Sequence, residues 1–380
     1  MKRLLVTALI WCFATAATEP PHWRAGQAAR LADWLDQAPS DGLAPVAAEG
    51  PVVRAAIAAQ DSARLDRLAT AAAVRLLQAH RTGCCHASAR KGWNIAGDQL
   101  QPAPEAAVAA AVANDDIDGL FEKARPSHPY YQALRDAYAR EQNPGRRATL
   151  AANLDRWRWM PRTLGTRYIL VNAAAFEATL WDERTEIGRW EIIVGKTRSP
   201  TPVFAAKVTG VIFNPWWDIP SSIVAESIGA LMRDHPAEAA RKGYVIQDGQ
   251  YRQRPGPGNA LGRMKLVMPN GYHVYLHDTP AQSLFSKDVR AFSHGCVRVG
   301  DALGLATALL SAKPGWDRAR TDAVVKDGQT VTVPLPAPVP VYVTYFTAEP
   351  DGTGGIRYLP DIYRRDAISS GGGNEETCPR

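Results

Sequence analysis

The hydrophobic pattern changes period once, near Leu154, and that change divides this chain of 380 residues into a helical part and a mainly β part. Upstream, apolar residues recur at helical spacing with Arg and Asp between them. The pattern runs from His22-Trp23 to Trp34-Leu35 and from Pro51 to His80, then through the alanine run Ala106 to Ala113 behind the Pro102-Ala103-Pro104 break. Short helices are expected over Asp115 to Phe121 and from Pro129 to Tyr138. Alanine stripes of this kind serve core packing. The segment Asn153-Leu154-Asp155-Arg156-Trp157-Arg158-Trp159-Met160-Pro161 closes the helical part. Its Arg-Trp alternation reads as a packed junction, with a glycan-facing cation–π patch as the alternative.

Downstream, strands are expected at Arg167 to Asn172, Ala175 to Trp181, Trp190 to Val194, Val208 to Phe213, Met264 to Met268 and Tyr272 to Leu276. Late strands follow at Val331 to Pro340, Val341 to Thr347 and Ile356 to Tyr358. Asp301 to Leu310 reads as a helix with Asp301 as its N-cap. One excursion interrupts the strands. Asn214-Pro215-Trp216-Trp217-Asp218-Ile219-Pro220 opens it, and Ser222 to about Lys242 is helical through Ile223, Ile228, Leu231 and Met232. A loop or short hairpin, Tyr244 to Arg254, and the Pro255-Gly256-Pro257-Gly258 turn close it. Such an insertion projects from one edge, as a lid or as passive surface. Trp216 and Trp217 either line a groove or anchor the insertion. The expected organisation is α+β: helices over 17–153, a mainly β domain over 154–366 with an insertion at about 218–257, and a polar Gly-rich tail over 367–380 that stays disordered.

A hydrophobic content of 46% with 22% charged residues is that of an ordinary globular chain, long enough for two domains. The formal charge of +6 suits an anionic partner. Of the candidate anions, cell-wall polymer, lipid headgroup and nucleic acid, the last is the least supported, since no long Lys/Arg-rich run is interleaved with aromatics. Gly195-Lys196-Thr197 lacks the glycine spacing of a phosphate loop, and Gly256, Gly258 and Gly262 do not make a dinucleotide fingerprint, so no cofactor is expected. Lys2-Arg3, the apolar run Leu4 to Ala14 and the small residues Ala14-Thr15-Ala16 read as a secretory signal over 1–16, which implies a periplasmic protein. The run is short for a membrane span, the alternative being an uncleaved anchor. Cys12 lies within it, leaving Cys84, Cys85, Cys296 and Cys378. Neighbours such as Cys84 and Cys85 bridge each other only with strain. A disulfide from one of them to Cys378 suits an oxidising compartment. Cys84-Cys85-His86 is too contiguous to surround a metal.

The reactive residues concentrate in Tyr275-Leu276-His277-Asp278 and in Ala291-Phe292-Ser293-His294-Gly295-Cys296-Val297-Arg298. A cysteine attacks a carbonyl carbon as thiolate and needs a neighbour that takes its proton. A histidine does so as base and returns the proton as acid to a leaving amine. Gly295 lets the backbone approach a substrate and frees amides for a developing oxyanion. Together these residues point to acyl transfer. Two inert readings stand beside it: Cys296 as a small buried hydrophobe, and a zinc site built from His273, His277, His294 and Cys296, the two upstream histidines sharing one face of a strand.

His277, fifteen intervening residues, then Ser293-His294-Gly295-Cys296-Val297-Arg298 closely resembles the signature of the YkuD-type L,D-transpeptidases. Val194-Gly195-Lys196 through Thr201-Pro202 and Gly258-Asn259-Ala260-Leu261-Gly262-Arg263 resemble other stretches of that family. The flanks Leu276 to Pro280 and Val289 to Cys296 look most like its large periplasmic subgroup of Gram-negative bacteria. The helical upstream region is similar to that subgroup's N-terminal part, and the insertion to its capping subdomain. A separate peptidoglycan-binding module, common there, has no room between Arg140 and Leu154.

The resemblance implies a YkuD-type catalytic domain behind a helical domain, acting on peptidoglycan stem peptides without metal or cofactor. It implies Cys296 as nucleophile, His277 as proton acceptor and donor, and the amides of His294, Gly295 and Cys296 as the oxyanion hole. His294 is expected to orient the turn and the Ser293 carbonyl to fix the histidine tautomer. Arg298 is expected on a stem carboxylate or in a structural ion pair, and Trp216, Trp217 and Asn259 along the substrate. The expected product is a 3–3 cross-link, formed when a tetrapeptide donor is resolved by the amine of a neighbouring diamino acid. A carbapenem is the expected covalent inhibitor. Alternatives are an L,D-carboxypeptidase or wall-lipoprotein-releasing hydrolase using the same site, and a non-catalytic wall-binding scaffold.

Overall fold

The structure, a computed structural model, describes residues 20–83, 90–97 and 102–366. The expected leader over 1–16, the residues Cys84, Cys85 and Cys378, and the tail over 367–380 lie outside the described residues.

The helical part comprises α1 (Ala25–Gln37), α2 (Ala44–Ala47), α3 (Gly50–Ala58), α4 (Ser62–Thr82), α5 (Pro104–Ala113), α6 (Ile117–Ala124), α7 (Pro129–Arg140) and α8 (Pro144–Arg158). The pattern from Pro51 to His80 splits into α3 and α4. Gln60 turns the chain with φ +53°, and the Asp61 carboxylate then caps α4 by accepting from Arg64 N at 3.0 Å. Leu31, Leu35, Leu76, Leu77 and Phe121 pack with the alanines of α4 and α5 into one core.

Strand β1 (Trp93–Asn94) precedes α5 in the chain, and β2 (Arg167–Asn172), β3 (Glu177–Asp182), β4 (Thr185–Gly195) and β5 (Val203–Phe213) follow α8. The insertion comes next: β6 (Trp217–Asp218), α9 (Ser221–Ile223), one π-helical turn over Val224–Ile228, α10 (Gly229–Asp234), α11 (Pro236–Arg241), β7 (Tyr244–Gln247) and β8 (Gln250–Gln253). The chain then continues through β9 (Met264–Val267), β10 (Leu276–His277), β11 (Ala291–Ser293), β12 (Val297–Val299), α12 (Ala302–Leu310), α13 (Arg318–Asp327) and β13 (Val331–Thr344). A final hairpin pairs β14 (Ala348–Pro350) with β15 (Ile356–Tyr358).

Strands β5-β13-β2-β3-β4-β12-β10-β9 follow one another, and β9 pairs back onto β5, closing an eight-stranded barrel. Closure removes the free edges that an open sheet would expose. β1 adds to the start of β5 and β11 to β4. Inside the barrel, Ile169, Val171, Ile192, Val211, Leu266 and Val341 are fully buried. The insertion forms its own small sheet in the order β6-β8-β7.

Other elements differ from the pattern. The segment expected as a strand over Tyr272 to Leu276 is strand only at Leu276–His277. There the Asn270 side chain bonds the Met268 carbonyl at 2.7 Å, the Val274 carbonyl at 2.8 Å and Tyr272 N at 3.0 Å, and His273 takes φ +53°. A loop results, and a shared strand face for His273 and His277 does not exist. Val331 to Thr344 is one strand rather than two, with a register shift between Pro334 and Val339 where prolines cannot donate to the ladder. α13 was not anticipated, although Asp317 caps it through Arg320 N at 2.8 Å and Gly328 ends it with φ +74°.

The two parts meet at Arg156-Trp157-Arg158-Trp159. Trp157 stacks on Phe346 at 4.6 Å between ring centres. Arg158, fully buried, bonds the Asp155 carboxylate at 2.6 Å, the Tyr131 hydroxyl at 3.1 Å and the Asp41 carbonyl. Trp159 Nε1 donates to the Thr82 carbonyl at 2.8 Å. The tryptophans are core rather than a glycan platform.

Candidate active site

Leu276 pairs with Val297 across the parallel β10–β12 ladder, and both are wholly buried in the barrel. The next pair, His277 with Arg298, therefore points to the opposite face. Burial alternates back along β12, Val299 and Val297 buried and Arg298 and Cys296 half-buried, so Cys296 shares the face of His277. On its other side His277 pairs with Lys265 of β9. Lys265 and Arg298 each act electrostatically on both Cys296 and His277, which places all four in one neighbourhood.

His277 is 4% exposed, and its Nδ1 lies 2.5 Å from the Asp278 carbonyl oxygen. A carbonyl only accepts, so Nδ1 carries the hydrogen and Nε2 keeps the lone pair of a base. Asp278 is held in turn, its carboxylate accepting from Arg263 N at 2.8 Å and Arg263 Nε at 2.9 Å. Gly262 permits this approach: its φ is +63°, and a β-carbon would sit 2.5 Å from the Asp278 carboxyl carbon. The Ser293 carbonyl, expected on the histidine, instead accepts from Lys196 N at 2.9 Å. The residue following the histidine performs that function because its carbonyl is already within reach.

Burial, the largest influence, pushes the imidazole of His277 down to about 4, and the cations Arg298 and Lys265 push the same way. Burial also raises the Cys296 thiol above its ordinary range, while the Tyr275 backbone, Lys265 and Arg298 draw it back in part. At neutral pH both the thiol and the imidazole thus rest uncharged. The thiol faces the His273 carbonyl at 3.8 Å.

The turn before Cys296 is fastened at several points. The Ser293 hydroxyl donates to the Cys296 carbonyl at 2.6 Å and accepts from Gly295 N at 3.0 Å. Gly295 has φ +117°, which a side chain would strain. The Thr201 hydroxyl accepts from Gly195 N at 2.9 Å and donates to the Gly295 carbonyl at 2.9 Å. The Tyr363 hydroxyl donates to the Gly195 carbonyl at 2.6 Å. Because Ser293 occupies the Gly295 amide, that amide is not a free oxyanion donor as expected. The amides of His294 and Cys296 have no partner among the described residues.

The remaining expected site residues are scattered. His294 does not orient the turn: it is exposed, with Nε2 2.9 Å from Glu226 of the insertion and 3.5 Å from Lys196 Nζ. Asn259 is buried and its amide is consumed by the carbonyls of Pro215 at 3.1 Å and Arg254 at 2.9 Å and by Leu261 N at 2.8 Å, so it fastens the base of the insertion instead of facing a substrate. Trp216 lies under the Arg252 guanidinium at 4.9 Å, and Trp217 pairs with Gln253 in the insertion's sheet. Both serve as anchors of the insertion. Arg298 makes no ion pair among the described residues, which removes the structural alternative for it. Lys265, Thr201 and Tyr363 were not foreseen, since only strand register and chain packing bring them here.

Residues 166–333 match the family model of the L,D-transpeptidase catalytic domain, YkuD, and residues 15–137 match that of the Scaffold domain. A protein of Haemophilus influenzae named "Putative L,D-transpeptidase" is 31% identical over 283 residues, covering 68% of this chain and 57% of that protein. The chain therefore spans little more than half of that relative. Among solved structures, the Ldtfm–avibactam carbamoyl enzyme is 14% identical with a TM-score of 0.26, covering 49% of this chain and 52% of that one. L,D-transpeptidase 3 from Mycobacterium tuberculosis with a faropenem-derived adduct is 14% identical with a TM-score of 0.24, covering 46% and 60%. Whole-chain scores this low leave the family match and the Haemophilus relative to carry the assignment. The chain belongs to the L,D-transpeptidase family, with a YkuD-type catalytic domain preceded by a Scaffold domain.

Proposed function

We propose that this protein is a periplasmic enzyme that forms 3–3 cross-links between peptidoglycan stem peptides through an acyl-enzyme on Cys296. The observation that carries the reading is the placement of Cys296 and His277 on one face of the β10–β12 ladder, beside two unbonded amides. Cys296 Sγ attacks the carbonyl carbon of the third stem residue while the thiol proton passes to His277 Nε2. The C–N bond to the terminal D-amino acid then breaks, and its amine takes that proton. A diamino-acid amine from a second stem attacks the thioester, gives its proton to His277 and releases Cys296 as thiol. The amides of His294 and Cys296 receive the oxyanion, each lowering the barrier by about 3 kcal/mol. A carbapenem carries an acyl group that the same thiol can take.

Muropeptide analysis after incubating the purified protein with sacculi tests this. New 3–3 dimers are expected, absent with Cys296→Ala, and with His277→Ala formed at least ~100-fold more slowly. Trimmed monomers without dimers would make water the acceptor and the protein a carboxypeptidase. Dimers formed by Cys296→Ala would end the mechanism.

A further inference from the structure

We infer that Lys265 and Arg298 together form a carboxylate clamp that makes the enzyme require a free α-carboxylate on the residue leaving the scissile bond. The inference rests on the acyl-transfer reading above and adds to it a specificity residue, Lys265, on a strand outside the Ser-His-Gly-Cys stretch.

Three observations converge on it. Lys265 and Arg298 flank His277 from opposite sides, as its register partners on β9 and β12. Side chains so paired stand on one face, and Cys296 stands on that face too. Second, neither cation has an ion pair among the described residues, although both are partly buried and burial works against their charge. Asp218 is the carboxylate that influences Lys265, but it is bonded to Arg252 at 2.6 Å. Third, Lys265 Nζ is held 3.7 Å from the centre of the Tyr275 ring, so its head is aimed rather than free to sweep through solvent.

Half-buried cations held without counter-ions call for an anion supplied from outside. The thiolate is not that anion at rest, because burial keeps Cys296 protonated. In a peptide whose scissile bond precedes its last residue, the terminal carboxylate lies one α-carbon beyond the leaving nitrogen, next to where the nucleophile must be. Arg298 offers a fork and Lys265 a point charge to such a group. A peptide extended by one residue, or ending in an amide, would leave both cations desolvated and unpaired.

The test compares acylation of the full chain by a stem tetrapeptide with a free C-terminus and by the same peptide as its C-terminal amide. Release of the D-amino acid or its amide is followed for the wild type, Lys265→Met and Lys265→Arg. The wild type should prefer the free acid by about 10- to 100-fold in kcat/KM. Lys265→Met should bring the acid-to-amide ratio of kcat/KM close to one, the loss falling mainly on KM for the free acid, and Lys265→Arg should restore the preference. A second readout needs no turnover: N-acetyl-D-alanine should slow iodoacetamide alkylation of Cys296 in the wild type, its amide should not, and Lys265→Met should abolish the protection. An acid-to-amide ratio unchanged in Lys265→Met, or an equal loss on both peptides, overturns the clamp while leaving acyl transfer in place. Protection without turnover of any stem peptide instead upholds the clamp and refutes the proposed reaction.

Discussion

Cys296 and His277 sit in a field of one sign. Lys265 and Arg298 favour a thiolate but oppose an imidazolium, and burial opposes both charges. A standing thiolate–imidazolium pair is thereby disfavoured, and the nucleophile forms only as the proton moves during attack. Alkylation of Cys296 by iodoacetamide should accordingly keep rising with pH above neutrality; a plateau reached at acid pH would indicate a preformed ion pair. Thr201 belongs to the same scale. Thr201→Val removes the hydroxyl that joins Gly195 to Gly295 and leaves a buried amide and carbonyl unpaired. It should cost about 1–3 kcal/mol in denaturant titration and slow acylation, with Thr201→Ser close to the wild type. Cys296 and His277 were legible because their residue types and spacing are local. Lys265, Thr201 and the Asp278 carbonyl were not, because each acts through register or backbone geometry that no spacing records.

Among the described residues, the insertion meets the turn before Cys296 at an exposed point, where Glu226 lies 2.9 Å from His294 and approaches Arg198 at 3.9 Å. Its base is fastened more firmly, by Asn259 and by Gln253, which bonds the carbonyls of Lys242 and Gly258, both at 2.9 Å. A tip held by an exposed polar contact opens at little cost compared with a base held by buried amides. Glu226→Ala should therefore raise deuterium uptake over residues 221–241 without lowering Tm by more than a degree or two. Unchanged uptake would show that the Glu226 contact does not hold the tip. The insertion's helices and hairpin were readable from apolar spacing and turn residues. The π-helical turn was not, since Val224 to Ile228 carries no local mark of it. The shortened strand before His277 was missed because alternation there persists through a loop that Asn270 shapes.

At the scale of the molecule, buried charge fastens the helical part, where Arg158 of α8 joins the Asp41 backbone to Tyr131 of α7. Arg158→Ala would strip the hydrogen bonds to Asp155, Tyr131 and the Asp41 backbone and should destabilise the protein by about 3–5 kcal/mol. Two fully buried histidines add a pH dependence: His80, pushed by burial from 6.5 to about 3, and His277, from 6.5 to about 4. The native state excludes a proton that the unfolded chain accepts. Stability should fall as pH drops from about 6.5 towards 4, by on the order of 3 kcal/mol for each histidine, and be flat above neutrality as far as these groups decide it. The switch from helical to alternating periodicity near Leu154 announced this architecture, whereas barrel closure through β9 and β5 depends on pairing between distant segments. The most direct measurement on the whole protein is intact mass after exposure to a stem tetrapeptide. The predicted result is a mass gain equal to the acyl tripeptide, mapped to Cys296 and absent from Cys296→Ala. An unmodified protein that still turns the peptide over, or an adduct that survives Cys296→Ala, would contradict it.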